Sequence, residues 1–428
     1  MTDQEIAGIG AEFGRYLRRY RPCFRQDRTA GHFDTYCRGL LSDLPRKSVE
    51  PVALASGTAV RTLQEFLTTA AWDHESARDL LQQHLANVLA DIPADPLGTV
   101  GVIDETSCRK KGDRTPGVQR QYLGCAGKVE NGIVTVHVGV ARGTFQALLD
   151  ADLYLPKSWD EDRDRCDEAG IPDDVRYQAK WRIALDQLLR LDGNGVRFDW
   201  LTFDEGYGAA VPFLTALTLI RQKFVAEVPV NFSVRATEGG KPGRADAVLA
   251  ADAARQGRRF RLTRRTLQPQ VWRAASVPVW VRGRAYSLVV AINESTAEVK
   301  YFVTNALTAP LGRVLAVAFR RATIEHSFRV AKSEAGLVHY EGRQYVSLIR
   351  HLILALLVMG FVSVHTDRLR GEKPAGDDGA GVPGDQREMR CPVPSAAGHT
   401  STATHGRGHP LPPAAERTGR QVPQETAV

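Results

Sequence analysis

The sequence predicts an α/β protein: a mixed β-sheet with flanking helices, preceded by a helical region and interrupted by a β-rich insertion. Three observations predict it. Residues 1–95 carry apolar residues at helical spacing, and residues 96–230 alternate β-branched runs with helical segments in the order β-β-β-α-β-α-β. Two of those runs, TVGVID and FDWLTFD, end abruptly on an aspartate. The 428 residues allow two or three domains, and 43% hydrophobic residues suffice for a sizeable core.

In residues 1–95, Leu63, Phe66, Leu67 and Ala70, then Leu80, Leu81, Leu85 and Val88, recur at helical spacing, with Asp73 placed to cap the second of these helices. Arg15, Arg18, Arg19, Arg21, Arg25 and Arg28 make the start of the chain basic, either as a solvated helix face or as a phosphate-contacting arm. We therefore expect a helical, DNA-binding region. The texture changes at Gly98. TVGVID, QYLGCAG and GIVTVHVGVARG read as a three-strand meander with Asn131-Gly132 as a turn signal. The helical segment 177–191, the strand FDWLTFD, the helix AAVPFLTALTLIRQK and the strand FVAEVPV complete the first part of the core, 96–230. Residues 231–308 carry Gly-rich and basic stretches and then strand-like pieces (VPVWVRGR, YSLVVAI, VKYFVTNA), and form the insertion. Helical patterning over 310–334 and 345–364 supplies the second part of the core, 309–366. In residues 367–428 Gly, Pro, Ala, Arg and Thr dominate and no aromatic residue occurs, so the tail is expected to be disordered.

Bulk properties narrow the function. A net charge of +7 and a pI near 9.1 are compatible with a polyanionic partner without demanding one. The six cysteines are scattered with no CxxC spacing, which argues against a zinc site or a disulfide framework and for a reducing, cytoplasmic setting. The N-terminus lacks a signal-peptide pattern. The most apolar stretch, Leu352 to Val364, is shorter than the roughly 20 residues of a membrane span and reads as a buried core helix. Neither a GxSxG elbow nor a Walker-type phosphate loop is present.

The carboxylates carry the chemistry. Phosphodiester cleavage by two divalent ions about 4 Å apart needs clustered acids, whose hard oxygens suit Mg²⁺ or Mn²⁺. Asp104 and Asp204 each close a strand, and strands 1 and 4 of this order lie side by side when the sheet is built in the ribonuclease H manner. An isolated strand-end Asp is ordinarily a turn residue; two at these positions form a pair. Glu105 and Glu205 follow them directly and can point away, because side chains alternate along a strand. Glu325 shares one helix face with Arg321, Arg329 and Lys332, either as a salt-bridged surface or as a metal ligand flanked by phosphate-gripping cations. Pattern alone leaves both open. His326 beside it is a candidate extra ligand, with packing or phosphate contact as alternatives.

In combination, LLSDLPRKSVEPVA, WDHESARD, VIDETSCRKKGDRTPGVQRQYLGCAGKVENG, LYLPKSW, TFDEGYG, RATIEHSFRVAKSEAGLVHYEGR and RHLILALL resemble the insertion-sequence transposases of the DDE endonuclease superfamily, over residues 35 to 365. The resemblance implies a ribonuclease H-like core in which Asp104, Asp204 and Glu325 are the catalytic, metal-binding acids. It implies that Arg321 and Lys332 are the Arg and Lys of a Y-(2)-R-(3)-E-(6)-K signature. The Tyr position of that signature is Ala318, next to Phe319, and the Trp usual after the Arg is Ala322. Asp204 and Glu325 are 121 residues apart, which fits relatives with a β-rich insertion at that point. In some of these an aromatic residue of the insertion holds a flipped base; Trp272 and Trp280 are candidates by type and place, against ordinary strand packing.

DNA contacts are expected from Arg109, Lys110, Lys111, Arg114 and Arg120, which follow Asp104, with a solvated loop as the competing account, and from Arg321 and Lys332. Arg255, Arg258, Arg259, Arg261, Arg264 and Arg265 form a second, non-specific basic cluster. The implied reaction is hydrolysis at transposon ends followed by attack of the freed 3′-hydroxyl on target DNA, by a homodimer assembled on DNA and associated with the nucleoid. Two rivals stand beside it: a ribonuclease H-like nuclease that cuts without joining, and a domesticated or inactive DNA-binding descendant.

Overall fold

The computed structural model describes residues 3–264 and 267–372; the tail beyond Glu372, Arg265 and Cys391 lie outside the described residues. Helices Asp3–Leu17, Asp27–Leu41, Val49–Ala55, Val60–Thr68 and His74–Asp91 build the N-terminal region. The last begins where Asp73 accepts a hydrogen bond from the Ser76 amide at 2.9 Å, as its sequence suggests. Leu63, Phe66 and Leu67 on one helix and Leu81, Leu85 and Leu89 on the next are buried. They pack under the C-terminal helix Tyr345–Glu372, which extends past the boundary drawn at residue 366. Tyr16 donates to the Leu357 carbonyl (2.8 Å), and Tyr36 hydrogen-bonds His351 (3.0 Å). Arg350 donates to the Phe66 and Leu67 carbonyls. That helix is long and apolar enough to cross a membrane, but 83% of its apolar window is buried inside the protein, so it serves as a core helix.

The sheet begins with β1 (Val100–Arg109), β2 (Gln119–Leu123), β3 (Lys128–Arg142) and β4 (Phe145–Leu153). The sequence pointed to three strands here, and the structure has four. β3 absorbs the KVEN segment and runs for 15 residues, pairing with β2 near its start and with β4 over its second half. β4 escapes pattern reading because it is covered on both faces and carries Asp150 and Asp152. Arg190, on helix Lys180–Gly193, meets both carboxylates, at 2.8 and 2.5 Å, which makes their burial tolerable.

β5 (Trp200–Phe203) lies parallel to β1, and β6 (Phe224–Val228) parallel to β5. The order β4-β3-β1-β5-β6, with the first three strands antiparallel and the last two parallel to β1, is the ribonuclease H-like sheet expected. The insertion brings β7 (Ser233–Arg235), β8 (Pro242–Arg244), β9 (Arg258–Arg264), β10 (Leu267–Val281), β11 (Arg284–Asn293) and β12 (Val299–Thr304). It is not a separate sheet. β12 pairs antiparallel with β6, so that β12, β11, β10, β7 and β8 prolong the core sheet from its β6 edge. Helices Leu311–Phe319 and Ala322–Glu334 then return the chain to the core. Trp272 is 1% exposed and packs on Phe319 at 4.6 Å between ring centres, and Trp280 is half-buried on β10.

Candidate active site

Strand register places the first two acids. Ile103 pairs with Phe203 between the parallel strands β1 and β5, so the next residues, Asp104 and Asp204, stand side by side where β5 ends. Asp204 turns the chain at once: its Oδ1 accepts from the amides of Gly206 (3.0 Å) and Tyr207 (3.3 Å), capping the one-turn helix Glu205–Gly208. Gly208 is required there, because a Cβ would sit 1.9 Å from the Glu227 carbonyl oxygen. Alternation sends Glu105 to the opposite side, where Lys180 pairs with it at 2.7 Å.

The helix Ala322–Glu334 brings the third acid. Ile324 and Phe328 are buried on its inner side, and Phe328 meets His137 of β3 edge-to-face at 5.0 Å. His137 is the cross-strand partner of Asp104, so this contact seats the helix beside the aspartates. Arg321 opens the helix, and its Nη1 lies 3.4 Å from Asp104 Oδ2 and 3.8 Å from Glu325 Oε1. The Glu325 side chain is 63% exposed and is linked to Asp104 through that guanidinium. Lys332 is close enough to Cys108 and His137 for its charge to act on both.

Electrostatics single out Asp104. It is 9% exposed, and burial, reinforced by the Asp204 charge, pushes its pKa up to about 7 against the pull of Arg321. Burial works against the charge on Arg321 too, but Asp104, Glu227, Asp204 and Glu325 outweigh it and hold its pKa above the ordinary value. The centre thus carries more negative charge than its one arginine offsets, and its donors are all carboxylate oxygens. That set fits a hard divalent cation. Among the described residues, however, no three carboxylates, imidazoles or thiolates converge as the ligand set of one ion.

The remaining basic residues divide. Lys110 donates to the Tyr340 carbonyl and Arg109 pairs with Glu130 at 2.7 Å, so both have internal partners. Lys111, Arg114 and Arg120 are exposed. In the second cluster Arg259 shares Glu294 with Arg273, and Arg255 pairs with Asp252. Arg258 and Arg261 are exposed on β9.

A family model described as DDE superfamily endonuclease matches residues 19–286, well over half of the chain. The chain belongs to this family. The matched span includes both aspartates and stops before Glu325, whose place comes from the helix packing just described. A protein described as a probable transposase for insertion sequence element IS701, from Microchaete diplosiphon, is 33% identical over 223 residues. That alignment covers 51% of this chain and 54% of the relative, so the chain spans about half the length of the curated protein it matches.

Three site residues are absent from the sequence reading. Phe203 pairs with Ala226, which sets Glu227 of β6 third in the row after Asp104 and Asp204; Arg321 Nη2 lies 3.8 Å from its Oε2. Lys300 of β12 holds the other oxygen of Glu227 at 2.5 Å. Tyr207 is 3% exposed, and its hydroxyl has no hydrogen-bond partner although Glu105, Asp104 and Asp204 all act on it electrostatically. The signal available for Glu227 was its place near the end of a strand parallel to the other two.

Proposed function

We propose that the chain is a transposase that cuts DNA at transposon ends and joins the freed 3′-hydroxyl to target DNA. The observation that carries this reading is the side-by-side placement of Asp104 and Asp204 on neighbouring inner strands of a ribonuclease H-like sheet, with Glu325 linked to Asp104 through Arg321. Asp104, Asp204 and Glu325 would hold two Mg²⁺ or Mn²⁺ ions, which when bound lower the pKa of water and offset charge on the leaving oxygen. The chain's own contribution is placement. Two acids are fixed by strand register and by the Asp204 cap, and one, with a largely exposed side chain, rides on the helix Ala322–Glu334. Arg321 and Lys332 share the Glu325 face and supply positive charge for a phosphate. Lys111, in the loop after β1, and Arg120, on β2, extend that charge, with Arg109 and Lys110 reaching DNA only by giving up their internal partners. Two transposon ends held together call for a homodimer on DNA.

The test is cleavage and joining of a labelled transposon end in Mg²⁺, with Asp204→Asn and Glu325→Gln as controls. Each variant is expected to lose cleavage by at least a thousandfold while still binding end DNA. Cleavage without any joined product would assign the site to a nuclease. Nicking at the unaltered rate in D204N would remove Asp204 from the site.

A further inference from the structure

Among the described residues Arg321 is the cation that contacts Asp104, Glu325 and Glu227 together, and it is held loosely. Its three carboxylate contacts, to Asp104, Glu325 and Glu227, measure 3.4, 3.8 and 3.8 Å. A close guanidinium–carboxylate pair sits about 2.7–2.9 Å apart. The nitrogens are divided between the acids: Nη1 serves Asp104 and Glu325, and Nη2 serves Glu227. Glu227 is in turn tied to Lys300, and its side chain is 17% exposed, so it is a fixed point on β6. Asp104 and Glu325 are the acids the proposed ions would require; Glu227 is the one acid on the guanidinium to which no other role falls.

We propose that Arg321 is the resident counter-cation of the metal-binding acids and that Glu227 is its positioning residue. Glu227 anchors Nη2 so that the guanidinium can leave Asp104 and Glu325 when a divalent cation takes them, without leaving the site. Lys300 sets the strength of that anchor by sharing the Glu227 carboxylate. The guanidinium so released remains beside the acids, where a phosphate oxygen is its natural partner. This rests on the metal-site reading above and adds a residue to it, one that acts through Arg321 and not by ligating the ion.

The distinguishing consequence is that Glu227 affects metal binding only while Arg321 is present, which a double-mutant cycle measures. Mn²⁺ binding to the full chain without DNA, followed by the electron paramagnetic resonance signal of free Mn²⁺, provides the readout. Unfolding midpoints serve as the check on folding. Removing the competitor in R321Q is expected to tighten Mn²⁺ binding about tenfold. E227Q is expected to weaken it several-fold in the wild-type background, because the unanchored guanidinium settles on Asp104 and Glu325. In the R321Q background E227Q is expected to have less than a third of that effect on a logarithmic scale. An equal loss in both backgrounds would make Glu227 a direct contributor to the ion and overturn the proposal, as would unchanged affinity in R321Q. If E227Q does not fold, K300M runs the same cycle with opposite sign: tighter binding with Arg321 present, no change without it, and an equal gain in both backgrounds counts against the proposal. Absence of Mn²⁺ binding in both wild type and R321Q would sink the metal site itself. An intact cycle with no strand transfer would sink only the transposase reading.

Discussion

Asp104 is held where little water reaches its carboxyl to stabilise a charge. It is buried beside Asp204, and its carboxyl is pushed up to about 7 by burial first and by that neighbour second. A carboxyl whose folded pKa lies above its unfolded value of 3.8 keeps a proton in the folded state that the unfolded chain has already lost. Stability from this group is therefore lost as pH rises from about 4 to about 7. Asp104→Asn removes the conflict. In the absence of divalent ions the D104N protein is expected to melt at a higher temperature than wild type near pH 8, with the gap closing towards pH 4. Equal melting temperatures near pH 8 would show that Asp104 carries no such strain. Asp104 and Asp204 were legible because each ends a hydrophobic run, a pattern that survives without any knowledge of pairing. Glu227 was not, since FVAEVPV continues past it, and only the pairing of Phe203 with Ala226 sets it beside the other two.

The element that decides the site is the helix Ala322–Glu334, and its C-terminal end is closed by specific contacts. At the C-terminal end Gly336 takes φ +62°, and the Leu337 amide returns to the Ala331 carbonyl at 3.0 Å, which closes the helix. There the ammonium of Lys47, 2% exposed, donates to the carbonyls of Glu334 (2.6 Å) and Leu40 (2.9 Å). A cation at a helix C-terminus is favourable, and this one also bolts the N-terminal helices to the helix that carries Glu325. Lys47→Met keeps the stem but leaves buried carbonyls unpaired, at a cost of about 1–3 kcal/mol. Denaturant unfolding of K47M should show a loss in that range, and DNA-end cleavage should fall with it. Unaltered stability would mean that the clamp is ornamental. The sequence displayed LPRKSVEP and SEAGL as separate strings, and nothing in either reveals that one grips the other, because Lys47 and Glu334 are 287 positions apart. β4 was hidden for a different reason: a strand buried on both faces has no alternation to read, and its two aspartates imitate a loop until Arg190 is seen against them.

Across the whole molecule, two histidines are sealed in neutral form. His137 and His351 are fully buried, and burial lowers their pKa values to about 3 and about 4. His351 bridges Tyr36 of the N-terminal region and the Gly336 carbonyl, both at 3.0 Å, so its neutrality is tied to the packing of three segments. A histidine whose folded pKa is depressed stabilises the fold above its unfolded value near 6.5, and that contribution is lost as pH falls below it. This runs opposite to Asp104, so the clean measurement is in D104N, where the unfolding midpoint should fall steadily from about pH 7 to about pH 5. A flat midpoint over that range would mean that the histidines accept protons without disrupting the core.

The joining of β6 to β12 has a bearing on how this protein can be engineered. An insertion that folds by itself can be excised and its ends bridged by a short linker. Here the cut would strip β6 of its neighbour and leave a bare, hydrophobic strand edge open to pairing with other chains. It would also remove Lys300 from Glu227. A trimmed version made smaller for delivery would need a replacement strand along β6, and the insertion is better exchanged for another that pairs there than deleted.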